Sequence, residues 1–69
     1  MNPLTTDKIE KLASRKGVKK VAVENFLGTL WDSTSWSAFA NLDADARSYK
    51  WNAATVKAIR DGINLAFKG

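Results

Sequence analysis

Basic side chains are concentrated in the first third of this 69-residue sequence, and they are its best candidates for contact with a ligand. Six of the eleven Lys and Arg residues lie between positions 8 and 20, where Glu10 is the sole acidic residue. Such a cluster attracts polyanions, because its positive potential raises the rate of encounter with them. A lysine-rich helix face is also often plain solvated surface. The six residues are Lys8, Lys11, Arg15, Lys16, Lys19 and Lys20.

The sequence lacks the residues that catalysis and metal binding usually require. Cys and His are absent, which removes the common zinc ligands and the groups in which His activates a nucleophile. The run from Asp43 begins like a calcium loop, but Arg47, Ser48 and Ala54 stand at its third ligand, its glycine and its bidentate glutamate. There is no glycine-rich phosphate loop. We expect no enzyme activity, no metal and no cofactor.

The length allows one domain, which we assign to residues 1–69. A chain of this size buries only about 60% of its unfolded surface, so large aromatic groups matter to its core. We predict that at least two of Trp31, Trp36 and Trp51 are buried. Two alternatives remain open: exposed Trp31 and Trp36 would form a hot spot for a protein partner, or would stack on single-stranded bases.

Hydropathy gives no sign of a membrane protein. No apolar run approaches the ~18–20 residues that span a bilayer, and the first residues lack the apolar core of a signal peptide. We expect a cytoplasmic protein.

Helical periodicity is strongest on either side of Gly17. Thr5 is the expected N-cap of a first helix that Gly17 ends. The second helix is predicted to run from Val18 to about Trp31, with Lys20, Val21, Glu24 and Gly28 on its outward side and Asn25 at the edge of that side. The inward residues of the two helices are Ile9, Leu12, Ala13, Val18, Ala22, Val23, Phe26, Leu27 and Leu30.

The second half of the chain predicts further helices and no strand. After the polar segment 32–35, we favour two short helices separated near residues 41–43 over one long helix. A linker over residues 49–51 then precedes a last helix that Asn52 caps, in which Gly62 permits a close helix crossing and Lys57 pairs with Asp61. The predicted fold class is all-α: one compact domain of four or five short helices, the first two forming a helix-turn-helix-like corner.

The stretch Leu12–Leu27 resembles the helix-turn-helix of bacterial repressors of the lac repressor and phage Cro type. A small residue in the first helix, a glycine four positions later and an aliphatic residue directly after it match Ala13, Gly17 and Val18. Val23 and Phe26 match buried positions deeper in the second helix, whereas Lys16 stands where that family usually has an apolar residue. An ordinary helix corner needs the same glycine and small residue.

The resemblance implies a small DNA-binding, transcription-regulating protein whose second helix enters the major groove of double-stranded DNA. Lys19, Lys20, Val21 and Asn25 would then face DNA. The phosphate contacts would fall to Lys8, Lys11, Arg15 and Lys16. Because one such module buries little surface, we expect a homodimer or a second partner, with the outer side of the last helix near Leu65 as a candidate dimer surface.

A protein-binding function is the alternative. A short helix, a glycine corner and further helices are also similar to the ubiquitin-associated type of module, which binds other proteins. That similarity is architectural, since no residue matches the binding loop of that family. A non-catalytic adaptor with a protein partner therefore stays open beside the DNA-binding interpretation.

Overall fold

A computed structural model describes residues 4–30 and 34–68, and these ranges form four α-helices. The helices are α1 (Thr6–Ala13), α2 (Lys20–Gly28), α3 (Ser35–Ser48) and α4 (Ala53–Phe67). The described residues contain no strand, so the predicted all-α fold is confirmed. Helix α4 packs against each of the other three helices and is the centre of the domain.

Helix α1 begins at the predicted cap, but it ends at Ala13, four residues before the predicted end at Gly17. The N–H of Lys8 donates to the hydroxyl of Thr5 at 3.3 Å, which caps the helix. Ile9, Leu12 and Ala13 are buried, as the apolar spacing indicates. Gly17 has a φ of +79°, a left-handed conformation that glycine adopts without a Cβ clash. The glycine corner between α1 and α2 is therefore confirmed.

Helix α2 is shorter than predicted at both ends. It begins at Lys20 instead of Val18, because the backbone of Lys19 is extended and its N–H donates to the side chain of Thr55 in α4. It ends at Gly28, and the N–H and hydroxyl of Thr29 both donate to the carbonyl of Phe26. The predicted end near Trp31 lies outside the described residues.

The prediction of two short helices before residue 48 is wrong, since α3 is one helix of 14 residues. A capping box starts it, in which the side chains of Thr34 and Ser37 each accept from the other's backbone N–H. Asn41 and Asp43, the residues that suggested a break, are exposed on the outside of the helix. Ala38 and Leu42 are buried. Burial of this inner face outweighs the weak helix propensity of Asn and Asp.

The turn between α3 and α4 is a Schellman motif with a lysine in the position that usually holds glycine. Lys50 has a φ of +53°, and the N–H of Trp51 donates to the carbonyl of Ala46 at 3.1 Å. The predicted linker is confirmed, and so is the N-cap of α4, because Asn52 Oδ1 accepts from the N–H of Thr55 at 3.1 Å. The turn reverses the chain within a few residues.

A close approach of α4 to α1 and α2 forms the middle of the core. A Cβ at Gly62 would lie 2.5 Å from Leu27 Cδ1 and 3.1 Å from Leu12 Cδ1, closer than ordinary contact distance. The predicted close crossing at Gly62 is therefore confirmed. The apolar residues of the core come from all four helices and their flanks: Leu4, Ile9, Leu12, Ala13, Val23, Leu27, Leu30, Ala38, Leu42, Ala58, Ile59 and Ile63.

Candidate nucleic-acid interface and the neighbouring groove

The corner between α1 and α2 is tied to the first turn of α4 by hydrogen bonds. Asn52 Nδ2 donates to the carbonyl of Gly17 at 2.7 Å. The hydroxyl of Thr55, which is fully buried, accepts from the N–H of Lys19 at 2.9 Å and donates to Asn52 Oδ1. Asn52, the N-cap of α4, and Thr55 in its first turn therefore hydrogen-bond both to each other and to the corner. This network fixes where α2 begins relative to the rest of the domain.

The outward side of α2 is free of the domain, as the helix-turn-helix interpretation requires. Lys20, Val21, Glu24 and Asn25 are all exposed, and Val21 keeps 67% of its surface accessible. No side chain among the described residues caps the N-terminus of this helix. The positive end of its dipole is accordingly open beside Lys19 and Lys20.

The basic cluster is exposed, but one of its members is engaged. Arg15 Nη1 lies 2.6 Å from Asp61 Oδ2 of α4, and both side chains are partly exposed. The predicted pair of Lys57 with Asp61 is replaced by this contact between the corner and α4. The other five basic residues form no ion pair within residues 4–30 and 34–68. They are Lys8, Lys11, Lys16, Lys19 and Lys20.

The structure divides the predicted DNA-contacting residues between two surfaces. Arg15 and Lys16 line a shallow seam between the end of α1 and α4, together with Lys57. Val21 and Asn25 instead line a groove on the α3 side of α2. Lys57 was not among the predicted site residues, because its place beside the corner depends on how α4 packs.

The groove between α2 and α3 has a volume of about 470 Å³. We call it the α2–α3 groove; its lining is Val21, Ala22, Asn25, Phe26, Thr29, Leu30, Ala38, Asn41, Asp45, Tyr49 and Trp51. The ring of Trp51 stacks on Tyr49 at a centroid distance of 5.6 Å and meets Phe26 edge-on at 6.1 Å. Among the described residues, Asp45 is the only charged one in the lining. The sequence did not predict Asn41, Asp45 and Tyr49 as residues of a site. The two aromatic residues that flank Lys50 were the one local indication of an aromatic surface there.

The tryptophans are less buried than predicted. Trp36 is 80% exposed near the start of α3, so the prediction of at least two buried tryptophans now depends on Trp31 and Trp51. Trp51 is half-buried against the core, and Trp31 lies outside the described residues. Trp36 is exposed because it falls on the side of α3 away from Ala38 and Leu42, which contribute to the core. The open alternative, an exposed Trp36 for a partner, agrees with this position.

The described residues meet the requirements of neither a metal site nor a membrane-spanning helix. Residues 4–30 and 34–68 hold no group of His, Cys, Asp or Glu arranged to bind a metal ion. None of the helices in these ranges combines the length and apolar character needed to cross a bilayer.

Comparison with known proteins gives no relative. No protein-family model, no curated protein sequence and no solved structure matches this chain.

Proposed function

We propose that this protein binds double-stranded DNA, with the exposed side of α2 in the major groove and the surrounding lysines on phosphates. The observation that carries the proposal is the exposure of Lys20, Val21, Glu24 and Asn25 on a helix whose start is hydrogen-bonded to α4. A recognition helix must stand free of its own domain and must be held firmly by it. Helix α2 meets both conditions.

The lysines supply the affinity in this proposal. Five basic side chains near the corner form no ion pair within the described residues, so they reach phosphates without first breaking a contact. Each phosphate neutralised releases counterions, and the logarithm of the binding constant then falls with the logarithm of salt concentration by about 0.9 per contact. Binding is therefore expected to weaken steeply as salt rises.

The start of α2 contributes a second attraction. Its free N–H groups and helix dipole favour a phosphate close to Lys19 and Lys20. One turn further on, Val21 presents an aliphatic group suited to a thymine methyl, and the amide of Asn25 suits the edge of adenine. Glu24, on the same side, disfavours phosphate and directs the helix so that Lys19 and Lys20 meet the backbone.

Dimerisation would give such a small module useful affinity, since a single one buries little DNA surface. Leu65 is 48% exposed on α4 and belongs to the surface that we assign to a second copy. Measurement of the mass in solution with and without duplex DNA tests this part. A strictly monomeric complex at a single site would remove the dimer from the proposal.

The test is a titration of duplex DNA into isotope-labelled protein at two salt concentrations. Amide shifts should concentrate in residues 19–25, and Lys20→Ala should lower the salt slope by about 0.9. Lys68→Ala is the matched control, because it removes the same charge at the far end of α4, about 20 Å along the helix from the corner. Equal losses for the two variants, or no shifts at low salt, would overturn the proposal.

A further inference from the structure

Among residues 4–30 and 34–68, one charged side chain lines the α2–α3 groove. Asp45 projects into it beside the rings of Tyr49 and Trp51 and the amides of Asn25 and Asn41. Asp45 is half-buried, and its carboxylate takes part in no ion pair within the part of the chain that the structure describes. The groove therefore has a local charge opposite to the net charge of +4.

The stability of α3 does not explain why position 45 carries an acidic residue. Asp45 stands near the C-terminal end of α3, where the helix dipole disfavours a negative charge. It caps no helix among the described residues, because Thr5, Thr34 and Asn52 supply the side-chain caps. The carboxylate is consequently available to a group from outside the domain.

The aromatic wall next to Asp45 is held in place by the turn after α3. The left-handed conformation of Lys50 sets Tyr49 and Trp51 side by side, with their ring planes 19° apart. Phe26 of α2 supports Trp51 from the edge. Tyr49 remains 64% exposed, so the outer aromatic face is open to a ligand.

A carboxylate beside stacked aromatic rings fits a guanidinium group. An arginine side chain is planar, can donate two parallel hydrogen bonds to one carboxylate and stacks on aromatic rings. A lysine ammonium lacks the planar fork, and a phosphate would be repelled by Asp45. A volume of about 470 Å³ lies within the usual range for pockets that hold a small ligand.

We propose that the α2–α3 groove binds an arginine side chain presented by a peptide segment of a partner protein. Asp45 accepts the guanidinium hydrogen bonds, and Tyr49 and Trp51 stack on its plane. The amides of Asn25 and Asn41 lie along the groove, where they pair with the peptide backbone on either side of the arginine.

The probe is the blocked peptide acetyl-Leu-Arg-Leu-amide, titrated into the labelled full chain. Its expected effects are shifts of the Trp51 indole N–H and of the Asn41 side-chain amide. The same peptide with citrulline, which has the shape of arginine without its charge, should bind at least about fivefold more weakly. Equal binding of the two peptides, or no shift at millimolar concentration, would overturn the proposal.

Two substitutions outside α2 locate the site. Asp45→Asn should weaken binding about fivefold or more, whereas Asp43→Asn, the same change at an exposed position of α3 outside the groove lining, should have no effect. Tyr49→Ala should also weaken binding, with Trp36→Ala as the control that removes another exposed ring. If the control variants lost as much peptide affinity as the target variants, the effect would come from overall charge or folding. The groove would then not be the binding site.

Asn25 belongs to both proposed sites, and the charge of Asp45 distinguishes them. Removal of the Asp45 charge should weaken the peptide complex but leave DNA binding unchanged or slightly tighter, because phosphates are repelled by a carboxylate. If Asp45→Asn weakens DNA binding, or leaves peptide binding unchanged, the assignment of the groove to arginine is wrong.

Discussion

The corner between α1 and α2 differs from the α2–α3 groove in what its charged groups face. Near the corner, five basic side chains are exposed without an ion pair in the described ranges, and hydrogen bonds from Asn52 and to Thr55 hold the backbone beneath them. In the groove, the described residues supply a single carboxylate, that of Asp45, beside aromatic rings and amides. Helix α2 therefore adjoins sites suited to opposite ligands: a polyanion at the lysines of its N-terminal end, and a planar cation beside Asp45.

This difference shows how charge pattern and packing contribute separately to function. The corner cluster is contiguous in sequence, so any fold that keeps residues 8–20 at the surface displays it. The groove combines residues from α2, from α3 and from the turn that follows α3. It exists only when these elements meet around α4.

The largest expected effect comes from a core substitution that disturbs both the corner and the α2–α3 groove. Gly62→Val places a branched side chain where even a Cβ would lie 2.5 Å from Leu27, so α4 must move away from α1 and α2. We expect a loss of about 3 kcal/mol in the free energy of unfolding, measured by urea denaturation. Gly28→Val is the control, since nothing lies within 4 Å of a Cβ there, and its effect should stay within about 0.5 kcal/mol. Similar losses for both would refute the close-crossing argument.

A smaller change loosens the corner and leaves the groove intact. Thr55→Val keeps the shape of a fully buried side chain but leaves the N–H of Lys19 without its acceptor. The expected loss in unfolding free energy is about 2 kcal/mol. Amide exchange of Lys19 should quicken more than that of Trp51. Retained protection at Lys19 would show that this hydrogen bond does not hold the corner. Thr55→Ser, which keeps the hydroxyl, should preserve the protection.

A gain in stability is expected at the turn that builds the aromatic wall. Lys50 occupies a left-handed conformation that glycine adopts without a side-chain clash. Lys50→Gly should therefore raise the unfolding free energy by about 1 kcal/mol, visible as a higher Tm. Ser48→Gly, a helical position two residues earlier, should instead lower it. A decrease for Lys50→Gly would mean that its side chain stabilises the turn.

The smallest expected effect on stability concerns the ion pair between Arg15 of the corner and Asp61 of α4. Arg15 and Asp61 are both partly exposed, so Asp61→Asn should change the unfolding free energy by less than about 1 kcal/mol. It should free Arg15 for phosphate and increase the salt dependence of DNA binding by up to about 0.9 in the log–log slope. An unchanged slope would remove Arg15 from the interface, and a large stability loss would show that the pair is structural.

Much of the local structure was predictable because its signals lie within a few residues of each other. Thr5 and Asn52 cap their helices, and Gly17 takes the left-handed conformation that the corner needs. The outward side of α2 was likewise predicted from helical periodicity and is exposed.

The misplaced features involve competition between distant groups. The start of α2 shifted because Thr55, 36 residues away, takes the N–H of Lys19. Residues 41–43 stayed helical because Ala38 and Leu42 on the same helix are buried. Asp61 was predicted to pair along its own helix, yet Arg15 from the corner after α1 reaches it. Thr55 and Arg15 lie far in sequence from the groups they bind, and α3 packs against α4, which lies further along the chain than residues 41–43.

Sequence alone determined the helical class, the caps, the glycine corner and the concentration of basic charge, because each arises from residues close together along the chain. Tertiary structure alone decided that α3 is a single helix, that Trp36 faces solvent and that Asp45 meets an aromatic wall in a groove. Those outcomes depend on which faces α4 covers. That choice is made by packing between residues far apart in the sequence, where burial outweighs local preference.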